Sequence, residues 1–80
     1  MTPPTRVVVY SRAGCHLCED AIAIVDQICD RHGMAYSVVD IDGDDSLLQQ
    51  YADKVPVTVI DGVEHAIWWV DPDRFEAALR

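Results

Sequence analysis

Residues 7–18 read Val7-Val8-Val9-Tyr10-Ser11-Arg12-Ala13-Gly14-Cys15-His16-Leu17-Cys18. The opening run is β-branched and aromatic. It is continuous rather than alternating, which suits a central strand buried on both faces. Ser11 to Gly14 is a short loop that delivers the first cysteine. From Cys15 to His32 there is no glycine or proline. Apolar residues there fall at a helical period with a wide apolar face. Cys-x-x-Cys at such a junction, inside a strand–helix–strand pattern, reads as a redox-active dithiol. Residues three apart share a helix face, so the two sulfurs can meet. The first sulfur falls where helix N–H groups lack partners and the dipole is positive. That setting favours a thiolate.

Outward from this stretch, Gly33 is a natural stop for the helix. Ala35 to Ile41 reads as a second strand. A helix joining it to the first implies a parallel pair, by the right-handed crossover rule. Asp40 to Asp45 is a turn, with Asp44 the expected N-cap of a short helix over 45–52. Val55-Pro56-Val57 opens a third strand that runs to Ile60. Asp61-Gly62 signals a hairpin, and Glu64 to Val70 returns antiparallel. Asp71-Pro72 starts a last helix, Asp as cap and Pro at the first position, ending near Leu79. Residues 1–5, with two prolines, are expected to be a loose tail ahead of one domain over 6–80.

The chain has 80 residues, half of them apolar, enough for one core. Fourteen acids against six Lys and Arg give a net charge of −8. That argues against nucleic acid, which needs a basic footprint, and against anionic membrane surfaces. Three cysteines, an odd number, do not suggest a disulfide framework. The first residues lack the apolar core of a signal peptide, and no stretch approaches membrane-spanning length. A monomer in a reducing cytoplasm is expected.

Cys15-x2-Cys18 and Cys29-x2-His32 mimic a zinc-ligand spacing. One continuous helix would hold its ends, Cys15 and His32, about 25 Å apart, so no metal is expected. Cys29 falls on the apolar face as a core thiol. It is about 16 Å along the helix from Cys18, too far for a bridge. His32 reads as a cation at the helix end. Asp42-Gly43-Asp44-Asp45 lacks the glutamate and spacing of a calcium loop, and turn and capping chemistry accounts for it. Trp68 and Trp69, adjacent on a strand, are expected on opposite faces, one in the core and one partly exposed. The exposed one serves either as a docking patch or as cover for an edge strand.

The order β-α-β-α-β-β-α is the minimal thioredoxin fold: a four-stranded mixed sheet, an α/β class, with helices on both faces. Val9 to Cys18, Val55-Pro56-Val57 and Asp61-Gly62 together resemble the glutaredoxins, most closely small bacterial glutaredoxin-like proteins, over nearly the whole chain from Arg6. The resemblance implies a thiol–disulfide oxidoreductase reducing protein or low-molecular-weight disulfides. Cys15 would attack and Cys18 resolve, while a cis Pro56 with Val55 offers backbone N–H and C=O to an extended substrate. Arg12 stands where many glutaredoxins carry a Lys that holds a carboxylate of glutathione; the alternative is a solvated loop arginine. His16, when protonated, is a second candidate cation beside Cys15.

Two departures count against glutathione. His16-Leu17 replaces the usual Pro-Tyr. Trp68-Trp69-Val70-Asp71 replaces the Gly-Gly and polar cap that would hold the γ-glutamyl end, and Asp71 would repel a carboxylate. No bound cofactor is expected. Electrons would come from a low-molecular-weight thiol, glutathione or another, or from a reductase. The alternative is a binding module that keeps the fold for partner docking, or for metal or cluster binding between chains through Cys15.

Overall fold

The computed structural model describes residues 5–80. Apart from Thr5, the expected tail lies outside the described residues. The elements run β1 (Val7–Ser11), α1 (His16–Arg31), β2 (Tyr36–Asp40), a 3-10 turn (Ile41–Gly43), α2 (Asp45–Tyr51), β3 (Val57–Ile60), β4 (Val63–Ile67) and α3 (Pro72–Leu79). The four strands form one sheet in the order β2-β1-β3-β4. β1 pairs parallel with β2 and antiparallel with β3, and β3 pairs antiparallel with β4. This is the mixed sheet of the minimal thioredoxin fold.

Strand alternation sorts the side chains into two layers. Val7, Val9 and Ile60 face the buried residues of α1, among them Val25 and Ile28, and Phe75 and Leu79 of α3. Val8 and Tyr10 face the other way and are only half-buried. Tyr51 of α2 stacks on Tyr10 with ring centroids 4.7 Å apart. One short helix therefore covers the second face, and β1 is sealed on one side and half-covered on the other. The expectation of burial on both faces is corrected to that extent: seven residues of α2 are too few to close the layer.

The termini of the elements follow from side-chain chemistry. Met34 N–H donates to the Cys29 carbonyl and Gly33 N–H to that of Asp30. With Gly33 at φ +64, this is a glycine-terminated Schellman end. Asp44 caps α2 through the Ser46 and Leu47 N–H groups, and Asp40 accepts from Asp42 N–H. Asp40 and Asp44 are thus spent on a turn and a cap, as expected, whereas the Asp42 carboxylate is taken by Arg12. Asp61 and Gly62 both have positive φ, the signature of a tight primed hairpin. Arg6 grips the turn, donating from two nitrogens to the Asp61 carboxylate at 2.8 and 2.9 Å. That hydrogen bond holds the Asp61 carboxyl below its usual range.

β4 ends at Ile67 rather than Val70. Trp68 adopts φ +71, which turns the chain out of the sheet before either tryptophan can join it. Both indoles are exposed, Trp68 at 47% and Trp69 at 70%, so the expectation that one enters the core is wrong. Among the described residues, no helix is long and apolar enough to cross a membrane.

Thr58 pairs with Val9 across the sheet and is 1% exposed. Its hydroxyl has no hydrogen-bond partner among the described residues. An orphaned buried hydroxyl is destabilising, and an apolar group of the same shape removes the penalty. Thr58→Val is expected to raise the free energy of unfolding by about 1 kcal/mol, measured by urea denaturation. A destabilised variant would mean that the hydroxyl is bonded.

Candidate active site

β1 ends at Ser11, and Gly14 at φ +74 turns the chain into α1. The backbone of Cys15 is extended, so it serves as the N-cap of α1. Caps are usually Ser, Thr, Asp or Asn; here a sulfur does the work. Cys15 Sγ accepts the Cys18 N–H at 3.2 Å, while the Cys15 carbonyl accepts the Glu19 N–H. Cys15 is partly exposed and Cys18 is buried at 2%. Burial first, and then the neighbouring Cys15, pushes the Cys18 thiol up to about 11.

α1 runs unbroken from His16 to Arg31. It keeps Cys15 and Cys18 at one end and Cys29 and His32 at the other, the outermost, Cys15 and His32, about 25 Å apart. Cys29 is fully buried in the core. His32 instead meets Glu76 of α3 at 3.1 Å, and Arg31 meets the same carboxylate at 3.3 Å. These contacts tie the far end of α1 to α3 and hold the Glu76 carboxyl below its usual range.

The sheet register brings three loops to the cysteine end. Tyr10 pairs with Val57, and Val57 pairs with Ile67. The loops carrying Cys15, Val55-Pro56 and Trp68-Trp69 therefore leave the sheet side by side. The Val55–Pro56 peptide bond is cis, and Pro56 is fully buried. Trp68 N–H donates to the Pro56 carbonyl at 2.8 Å, and its indole Nε1 donates to the Asp53 carbonyl at 3.1 Å. The tryptophan turn is thus pinned to the proline segment.

Three expected residues stand differently from their sequence reading. Val55 N–H is already donated to the Tyr51 carbonyl, because the last carbonyls of α2 need donors; it is not free for a substrate strand. His16 is 95% exposed, with Nδ1 3.6 Å from Glu19 Oε2 rather than turned to the sulfur. Arg12 is not a loose loop cation: its Nε donates to Asp42 Oδ1 at 2.9 Å. Asp42 and the Trp68 turn were missed as parts of this site. The partnership of Arg12 and Asp42 spans thirty residues and leaves no periodic trace in the sequence. A left-handed tryptophan carries no glycine or asparagine signal.

A half-exposed thiol capping a helix over a buried thiol, beside a proline loop, supports a redox role of the thioredoxin kind in general. The comparisons agree on the fold. A solution structure of protein Ne2328 from Nitrosomonas europaea is 35% identical, with a TM-score of 0.76, covering 98% of this chain and 94% of that one. The X-ray structure of XcR50 from X. campestris is 32% identical, also with a TM-score of 0.76, covering 91% and 93%. Fasciola hepatica thioredoxin, 16% identical with a TM-score of 0.60 over 91% of this chain and 75% of that one, shares the fold alone. Residues 6–80 match the glutaredoxin-like domain (DUF836). Spanning all but the first five residues, that match makes the chain a member of the glutaredoxin-like domain family.

Proposed function

We propose that this protein is a thiol–disulfide oxidoreductase that reduces disulfides through the Cys15–Cys18 pair. The observation that carries the reading is the division of labour between the sulfurs. One is partly exposed and accepts the Cys18 N–H at 3.2 Å; the other, on that same Cys18, is buried. A substrate disulfide can reach the first and not the second.

In the first step the Cys15 thiolate attacks one sulfur of the substrate disulfide. A Cys15–substrate disulfide forms and the other substrate sulfur leaves as a thiolate, which takes a proton. In the second step Cys18 gives up its proton to solvent and attacks Cys15 Sγ. The Cys15–Cys18 disulfide forms and the second substrate sulfur leaves. The second substrate sulfur also takes a proton, so the substrate gains two electrons and two protons; the protein supplies both electrons and the Cys18 proton, and solvent supplies the other, because Cys15 enters as the thiolate. A low-molecular-weight thiol or a reductase returns the two electrons, in keeping with a reducing cytoplasm. The dithiol carries the chemistry without a bound cofactor.

The test is reduction of a small neutral disulfide such as 2-hydroxyethyl disulfide. Cys15→Ser is expected to abolish turnover. Cys18→Ser is expected to trap a mixed disulfide at Cys15, seen as a mass increment on the intact protein. Turnover in Cys15→Ser would refute the assignment.

The buried thiol also predicts a pH dependence. An unfolded thiol titrates near 9.0 and the folded Cys18 near 11, so folding favours the protonated form. That contribution to stability is full below about pH 9 and is lost as pH rises through about 11. Tyr36 and Tyr51, also raised, act in the same sense and remain in a Cys18→Ser variant. The urea midpoint of the native protein is expected to fall more steeply between pH 9 and 11 than that of the variant. Parallel curves would contradict this.

A further inference from the structure

The cysteine end of the sheet has two places where an anion could be received, and the chain fills both with its own carboxylates. Arg12, three residues before Cys15, is paired with Asp42 at 2.9 Å. The first turn of α3 is capped by Asp71, whose Oδ1 accepts the Asp73 and Arg74 N–H groups at 3.0 and 3.3 Å. Beyond these pairs the balance at this end is acidic. Glu19 lies in the first turn of α1, and Asp71 and Asp73 lie at the start of α3, with Lys54 and Arg74 as nearby cations, in a chain of net charge −8. An anionic substrate meets an Arg12 already paired and an excess of acids at the helix starts. A basic one meets complementary charge.

Apolar surface stands beside this charge. Leu17, next to Cys18, is 45% exposed, and Trp68 and Trp69 are 47% and 70% exposed. Trp69 lines a shallow cleft with His65, Ile67 and Arg74. Because Trp68 is bonded to the Pro56 carbonyl, its position is fixed against the loop nearest the dithiol. Exposed aromatic and aliphatic surface at an acidic end of the sheet, with Asp71 in the Trp69 cleft, fits a polypeptide segment with apolar and basic residues, not a small anionic thiol.

We infer that the site takes disulfides carried on apolar, neutral-to-basic polypeptide segments and turns away small anionic disulfides, with Asp42 and Trp69 as specificity-determining residues. This rests on the disulfide exchange proposed above and names its substrate class.

The experiment compares two peptides carrying the same disulfide, one flanked by Lys and one by Glu, with 2-hydroxyethyl disulfide as the neutral reference. The native protein is expected to show a kcat/KM for the Lys peptide about tenfold or more above that for the Glu peptide, shrinking with added salt. Asp42→Asn frees Arg12 and is expected to lower KM for the Glu peptide about three- to tenfold. The control is Asp61→Asn, which removes the same charge from a similar arginine pair at the opposite end of the sheet and is expected to change neither peptide ratio nor KM. Trp69→Ala is expected to raise KM for both peptides several-fold more than for the reference. Equal rates for the two peptides, or an Asp42→Asn effect no larger than that of Asp61→Asn, would overturn the inference while leaving redox turnover intact. Failure to reduce the neutral reference would instead remove the underlying reading and this one with it.

Discussion

A thiol closes the first turn of α1. Cys15 Sγ takes the place usually held by a hydroxyl or carboxylate oxygen and accepts the Cys18 N–H at 3.2 Å. The bond needs an extended residue at the cap and helical residues after it, which fixes the spacing of the two cysteines. It also aims a helix N–H at the outer sulfur while the second sulfur is drawn under the turn. Capping and chemistry therefore make the same geometric demand. The loop that meets it is brief, because Gly14 at φ +74 allows the chain to enter the helix within one residue of the cap.

The remainder of the fold holds that helix end still. Val25 and Ile28 lock α1 to Val7 and Val9 of the sheet and to Phe75 of α3. The far end is closed by the glycine terminus and tied to α3 through the shared Glu76 carboxylate. Such exposed ion pairs contribute little stability; buried side chains do more. In so small a domain the same layer must supply stability and aim the dithiol. The second face is lightly covered, with Tyr51 on Tyr10 standing in for a full helix layer.

Local signals were the readable ones. The period of α1, the Asp71-Pro72 start of α3, the glycine end at Gly33 and the Asp61-Gly62 turn each arise from residues within a few positions of one another. The sequence is sufficient to recognise them. The cysteine spacing belongs to the same class, since one helical turn determines it. The end of β4 was misjudged because strand propensity in Ile67-Trp68-Trp69-Val70 continues past the point where the chain turns. The turn is imposed by Trp68 bonding to the Pro56 and Asp53 carbonyls, groups far away in sequence. Arg12 and Val55 were read as available for substrate for a like reason. Their partners, Asp42 and the Tyr51 carbonyl, become neighbours only when the sheet has assembled.

The most direct trial of the proposed chemistry is a redox titration. Native protein is equilibrated in dithiothreitol buffers of graded ratio, quenched in acid, unfolded, and tagged with a thiol-specific mass label. A single two-electron transition should protect two of the three thiols, mapping to a Cys15–Cys18 disulfide with Cys29 labelled throughout. A transition that joins Cys15 to another molecule, draws in Cys29, or never forms an intramolecular bridge would contradict the proposed dithiol chemistry at its root.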